Sequence, residues 1–72
     1  MDEILTNTLK VQRAMRDLTQ AGLAAKAGVT RKSVNAIETG RMVPSVLLAL
    51  KLARALEVTI ETIFTLDNGA AK

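Results

Sequence analysis

Arg31 and Lys32, followed one turn later by Asn35, bring two cations and an amide to the start of one helical pattern in this 72-residue chain. A guanidinium donates two parallel hydrogen bonds, an ammonium acts as a point donor, and a carboxamide donates and accepts side by side. Set against phosphate oxygens and the edges of bases in a major groove, these groups are correctly placed, because the first residues of a helix lying there reach base edges. Their position is informative for a second reason. The first turn of a helix carries partial positive charge and prefers Asp or Glu, so each cation there costs a few tenths of a kcal/mol. A helix written only for stability avoids that arrangement.

The elements that hold these residues are legible around them. Thr19 is a capping hydroxyl, and Leu23, Ala24 and Ala27 share one face of the short helix that follows it; Gly28 stops that helix. Val29 is a buried hinge residue. Thr30 caps the next helix, whose apolar positions Val34 and Ile37 are three apart, and Gly40 ends it. Upstream, Leu9, Val11, Ala14, Met15 and Leu18 alternate with Lys10, Arg13, Arg16 and Asp17, which predicts a first helix over residues 8–17 covering the pair, capped by Thr8 or Asn7. Downstream, Pro44 interrupts helix and Ser45 caps a fourth one from Val46 to Leu56. That helix is so rich in Val, Leu and Ala that it must be buried on more than one side, with Lys51 and Arg54 on its wet face. Thr59 caps a last short helix in which Ile60, Ile63 and Phe64 pack and Glu61 suits the first turn. After Asp67 the tail has no packing pattern and is expected to fray.

Composition narrows the function classes. Seventy-two residues make a single domain, 1–72 with its core between 8 and 66, near the lower size limit for folding alone. The apolar fraction of 49% is aliphatic, with Phe64 the one aromatic, as in a small helical bundle. Without His or Cys, disulfides, thiol catalysis and the commonest metal and haem ligands are excluded, and the acidic residues form no catalytic pairs. Neither an enzyme nor a metal or cofactor protein is expected. No stretch has the length of a membrane span, and the acidic amino terminus has no secretion pattern. Between Lys10 and Arg54, nine cations face only Asp17 and Glu38, a local excess of +7, while the two ends are net acidic. One face is therefore suited to a polyanion.

Five short helices, the second and third forming a helix-turn-helix, resemble the Xre family of phage-repressor and Cro-like DNA-binding domains. The resemblance runs from about Leu9 to Phe64. It is carried by Leu18-Thr19-Gln20, Leu23-Ala24, Gly28-Val29-Thr30, Ala36-Ile37-Glu38-Thr39-Gly40, Pro44-Ser45 and the stretch from Leu50 to Phe64. It implies a compact all-α bundle of the lambda-repressor type, acting as a stand-alone regulator, a repressor bound as a homodimer to a pseudo-palindromic double-stranded DNA operator in the cytoplasm, on the nucleoid. No membrane and no small-molecule ligand enter this reading. By the same resemblance, Arg31, Lys32, Asn35 and Ala36 read bases, while Thr19, Gln20, Thr30, Ser33, Thr39 and Arg41 hold phosphates. Arg13 and Glu38 form a structural salt bridge between the first and third helices.

Three positions depart from the family pattern. Gly22 stands where a Glu usually completes a capping box, which weakens the second helix by up to about 1 kcal/mol. Gln12 replaces an apolar residue and Leu47 a surface acid, so Leu47 is a candidate for a dimer seam. Other candidate seam residues are Ile4 and Leu5 with Ile60, Ile63, Phe64 and Leu66; where Glu3–Thr6 and Thr65–Asp67 are extended, they can pair as a small terminal sheet. An alternative assigns the same fold to the antitoxin of a toxin-antitoxin pair that autoregulates through DNA. A third reading is an interaction module without DNA binding, which the cation pair speaks against.

Overall fold

The computed structural model describes residues 3–67, and the tail expected to fray lies outside them. The chain runs β1 (Ile4–Asn7), α1 (Leu9–Ala14), α2 (Gln20–Ala27), α3 (Arg31–Glu38), α4 (Val46–Leu56), α5 (Ile60–Ile63) and β2 (Phe64–Asp67). The caps act where the sequence places them. Thr19, Thr30, Ser45 and Thr59 each accept, through the side-chain oxygen, the backbone N–H three residues on. Each satisfies one of the donors that a helix start leaves unpaired. At the α2–α3 turn Gly28 takes φ 74°, a conformation that glycine adopts without steric cost, and the N–H groups of Gly28 and Val29 both return to the Ala24 carbonyl.

The core gathers Leu9, Leu23, Ala24, Ala27, Val34, Ile37, Leu52, Leu56, Ile63 and Phe64 together with the alanines of α4. α3 packs on α2, and α2 on α4. The α2–α3 pair is thus carried on a wall of aliphatic side chains, with no buried side-chain polar atom left unsatisfied among the described residues.

The first helix is shorter and turned differently from its sequence pattern. It stops at Ala14, and a turn closes through Leu18 N–H to Arg13 O at 3.2 Å, with Asp17 at φ 56°. Asn7, rather than Thr8, caps it by accepting the Leu9 N–H at 3.0 Å, while the Thr8 hydroxyl donates to the Thr62 carbonyl. Val11 and Met15 face outward, at 56% and 69% exposure. The reason is steric. Leu9, Gln12, Arg13 and Arg16 share the opposite stripe, and Arg13 must point toward α3, so the apolar stripe turns away.

A second correction concerns α4. Its inner face is buried through Ala49, Leu52, Ala53, Ala55 and Leu56, but Val46, Leu47 and Leu50 are 73%, 64% and 52% exposed. Only one side of this helix is covered by the chain itself. The last helix also ends one residue early, because Phe64 adopts extended backbone and begins β2. β1 and β2 form a two-stranded antiparallel sheet with Leu5 opposite Leu66 and Thr6 opposite Thr65, and the two threonine hydroxyls lie 2.8 Å apart. The terminal pairing thus exists. Phe64 and Ile63 are buried in the core.

Gly22 offers a test of local helix energetics. Its φ is not positive, so nothing in the backbone requires glycine there. A Cβ at this position meets Thr19 Oγ1 at 3.2 Å and Leu18 Cδ2 at 3.7 Å, which asks a few tenths of an ångström of one hydroxyl. Gly22→Ala is expected to stabilise the domain by up to about 1 kcal/mol. For a chain of this size that is a rise in melting temperature of roughly 4–8 °C. A fall in melting temperature would show that the Thr19 cap does not yield.

Candidate nucleic-acid interface

Arg31 and Lys32 open α3, exposed to solvent, and neither has a hydrogen-bond or ion-pair partner among the described residues. Two cations held at a helix start with no ion-pair partner among the described residues are open to an external anion. The residues around them are occupied in a way that the sequence does not reveal.

Thr30 and Ser33 close on each other: the Ser33 N–H donates to Thr30 Oγ1 at 3.0 Å, and the Thr30 hydroxyl donates to Ser33 Oγ at 2.9 Å. The Thr30 proton is therefore used inside the cap. Ser33 retains its own hydroxyl proton for an outside acceptor. Thr19 accepts from Gly22 N–H at 2.9 Å and likewise keeps its proton. Thr39 differs, because its hydroxyl donates back to the Asn35 carbonyl at 2.9 Å and accepts from Arg41 Nε at 3.2 Å. It positions Arg41, an exposed residue in the loop that follows Gly40 at φ 77°.

Gln20 is turned inward. Its amide nitrogen donates to Asn35 Oδ1 at 3.2 Å and to Glu38 Oε1 at 3.0 Å, which uses both N–H bonds. A phosphate contact from that nitrogen requires one of them to be given up; at the same helix end the first backbone N–H groups have no intrahelical acceptor, and the Thr19 cap takes only that of Gly22. The Asn35 amide nitrogen has no partner among the described residues, so it can donate to a purine nitrogen, with the second lone pair of Oδ1 still available. Ala36 is half-buried beside it, and its carbonyl accepts the Arg41 N–H at 2.9 Å.

Beneath this surface Arg13 joins α1 to α3. Arg13 Nε donates to Glu38 Oε2 at 2.7 Å and Nη2 to Oε1 at 3.1 Å, while Nη1 donates to the Leu18 carbonyl at 2.8 Å. The fork is bidentate, and the side chains are only 15% and 4% exposed. The hydrogen bond to Glu38 raises the Arg13 pKa above its ordinary value against the effect of burial. For Glu38, burial pushes the carboxyl upward, but hydrogen bonds from Arg13 and Gln20 and the charges of Arg13 and Lys10 outweigh it and hold the pKa below its ordinary value. Arg13, Glu38, Gln20 and Asn35 thus form one chain of hydrogen bonds that ends on the exposed side of α3. One further tie escaped the sequence reading: Asn7 Nδ2 donates to the Ile37 carbonyl at 3.0 Å and fastens β1 to the end of α3. The only sequence signal for it is an Asn at a helix start, which equally well describes a cap.

The sign of the Glu38 shift gives a pH dependence. A carboxyl with a depressed folded pKa contributes stability above its unfolded value, about 4.3, and that stability is lost as pH falls through the folded pKa. Glu38→Gln is therefore expected to be less stable than the parent at neutral pH, with the difference narrowing below about pH 4. Thermal unfolding followed from neutral to strongly acid pH checks this; a difference independent of pH contradicts it.

Comparison with known proteins is consistent with this geometry. The family model described as helix-turn-helix matches residues 9–63. An uncharacterised HTH-type transcriptional regulator of Methanocaldococcus jannaschii is 45% identical over 64 residues, covering 89% of this chain and 97% of the relative. One from Bacillus subtilis is 43% identical over 64 residues, with the same shares covered. Among solved structures, the restriction-modification controller protein C.AhdI from Aeromonas hydrophila superposes with a TM-score of 0.72 at 33% identity, over 75% of this chain and 82% of that one.

Proposed function

Because the chain belongs to the Xre/Cro-like helix-turn-helix family, whose members are DNA-binding transcriptional regulators and not enzymes, we propose that it is a sequence-specific repressor that binds a pseudo-palindromic operator as a homodimer. The observation that carries this reading is the pair of exposed cations at the start of α3, without a partner among the described residues, held at a position that costs the helix stability and backed by an internally satisfied network. Arg31 reads a guanine through O6 and N7, and Lys32 donates to a neighbouring base or phosphate. Asn35 and Ala36 meet bases one turn further along. Thr19, Ser33, Arg41 and the backbone at the start of α2 hold phosphates, and Gln20, Thr30 and Thr39 act mainly by fixing Asn35, the α3 cap and Arg41.

One copy of so small a surface grips DNA weakly, and two copies with recognition helices one helical turn apart, about 34 Å, supply the affinity. Repression needs nothing beyond occupancy, since a bound dimer excludes other proteins from the same DNA. Selection of bound fragments from a random double-stranded library, at fixed salt, tests the proposal. Enrichment of a two-fold related pair of half-sites is expected; recovery of unenriched sequence at every salt concentration overturns it.

A further inference from the structure

A carboxamide is nearly symmetric in shape but not in chemistry: one end donates two hydrogen bonds and the other accepts. Which end of Asn35 faces outward therefore decides what a ligand must offer it. That choice is made by a buried charge. The Glu38 carboxylate, 4% exposed and held by Arg13 through both oxygens, has no proton to give. Its Oε1 lies 3.0 Å from one end of the Gln20 amide, so that end must be the nitrogen. The same nitrogen lies 3.2 Å from the Asn35 carboxamide, where its other proton must meet an acceptor, Oδ1. Asn35 Nδ2 is left on the far side, with no partner among the described residues. Turning Asn35 around sets two NH2 groups against each other, and turning Gln20 sets its carbonyl against the carboxylate. Either reversal loses hydrogen bonds and brings like partial charges together, which is costly at part-buried groups.

We propose that Glu38, acting through Gln20, fixes the polarity of Asn35, so that its amide nitrogen faces outward and the edge it meets must accept a hydrogen bond. In naming that edge the inference rests on the operator reading: it is the N7 of either purine or the O4 of thymine. Cytosine is rejected, because its major-groove edge offers the N4 amine, a donor against a donor. Gln20 is in this a positioning residue. Its nitrogen is spent inward on two acceptors, and it sets base preference at one position of the half-site without touching a base. Arg13 and Glu38 thus pass to the surface of α3 a polarity as well as a placement.

Selection from a random double-stranded library by the full chain and by Asn35→Ala, at one salt concentration, locates the position that Asn35 meets: the one whose preference flattens in the variant. In the parent, cytosine is expected to be depleted there by roughly fivefold or more, the lower bound for one base contact. Asn35→Asp sets an oxygen where Nδ2 stood, with Gln20 still donating to the other, and is expected to raise cytosine above guanine whatever its charge does to overall affinity. Gln20→Met removes the lock and is expected to readmit cytosine at this position alone, with the preference of the bases met by Arg31 unchanged. Gln20→Lys again places a donor between the two acceptors and is expected to restore the depletion; a loss of packing acts on all positions alike and is not rescued in this way. Cytosine favoured by the parent, an unaltered preference in Gln20→Met, or no position flattened by Asn35→Ala overturns the proposal and leaves the operator. Side-chain amide hydrogen exchange in the chain without DNA keeps the two readings apart, with slow exchange expected for the Gln20 NH2 group and fast exchange for that of Asn35. Where no site is selected, that pattern upholds the fixed polarity and removes the operator alone; equal exchange of both amides overturns the polarity whether or not a site is selected.

Discussion

The double variant Arg31→Ala, Lys32→Ala is expected to bind its selected operator and random DNA of the same length with nearly equal affinity. Each well-formed contact between a cation and a base edge contributes about 1–3 kcal/mol of discrimination. Loss of both removes about 2–6 kcal/mol per subunit, roughly a factor of 30 to 10⁴ in the ratio of specific to nonspecific affinity. Non-specific binding is expected to persist, because seven of the nine cations between Lys10 and Arg54 remain. Stability moves the other way. Neither side chain has a partner to lose among the described residues, and removing cations from the first turn of α3 relieves a few tenths of a kcal/mol each. A salt-controlled binding assay paired with thermal unfolding therefore reads two opposite signs. Unchanged discrimination means that these residues do not read bases, and a falling melting temperature means that they hold α3 together.

The second large effect lies below the surface. Arg13→Met keeps an unbranched apolar stem but leaves the Glu38 carboxylate, 4% exposed, with only Gln20 as a hydrogen-bond donor. Breaking a buried pair from one side costs about 3–5 kcal/mol, against a total stability of about 4–11 kcal/mol for a chain of this length. The variant is thus expected to be marginally folded at neutral pH. Its deficit shrinks on acidification, because without Arg13 the burial of Glu38 raises that carboxyl's pKa and protonation removes the orphaned charge. Replacing both partners, Arg13→Met with Glu38→Leu, should recover most of the loss. A double-mutant cycle by chemical denaturation measures the coupling; equal additive losses would mean that the fork contributes little beyond the two side chains separately.

The two effects separate the roles of the hydrogen-bond chain. Arg13 and Glu38 set where α3 lies against α1, and Gln20 passes that placement to Asn35. None of these has to touch DNA to influence it. A one-sided break at Arg13 is expected to lower operator affinity chiefly through the folded fraction.

By itself the sequence determined the caps and the glycine turn, which depend on neighbours within a few residues. The four caps and the left-handed glycine at residue 28 each close a hydrogen bond three to five positions along the chain, so residue type and spacing suffice. The exposed cation pair is legible for the same reason, since the first turn of a helix is a local address. Only the tertiary structure decided which way the helices face. Leu9, Arg13 and Arg16 compete with Val11 and Met15 for the inside of α1, and the outcome turns on Glu38, twenty-five residues away. The inward turn of Gln20 depends on Asn35 and Glu38, fifteen and eighteen residues on, and the anchoring of α3 by Asn7 on a carbonyl thirty residues away. The outer face of α4 follows the same logic from the opposite direction: its pattern demands cover on two sides, but a periodicity records only that apolar surface must be buried, not which molecule buries it.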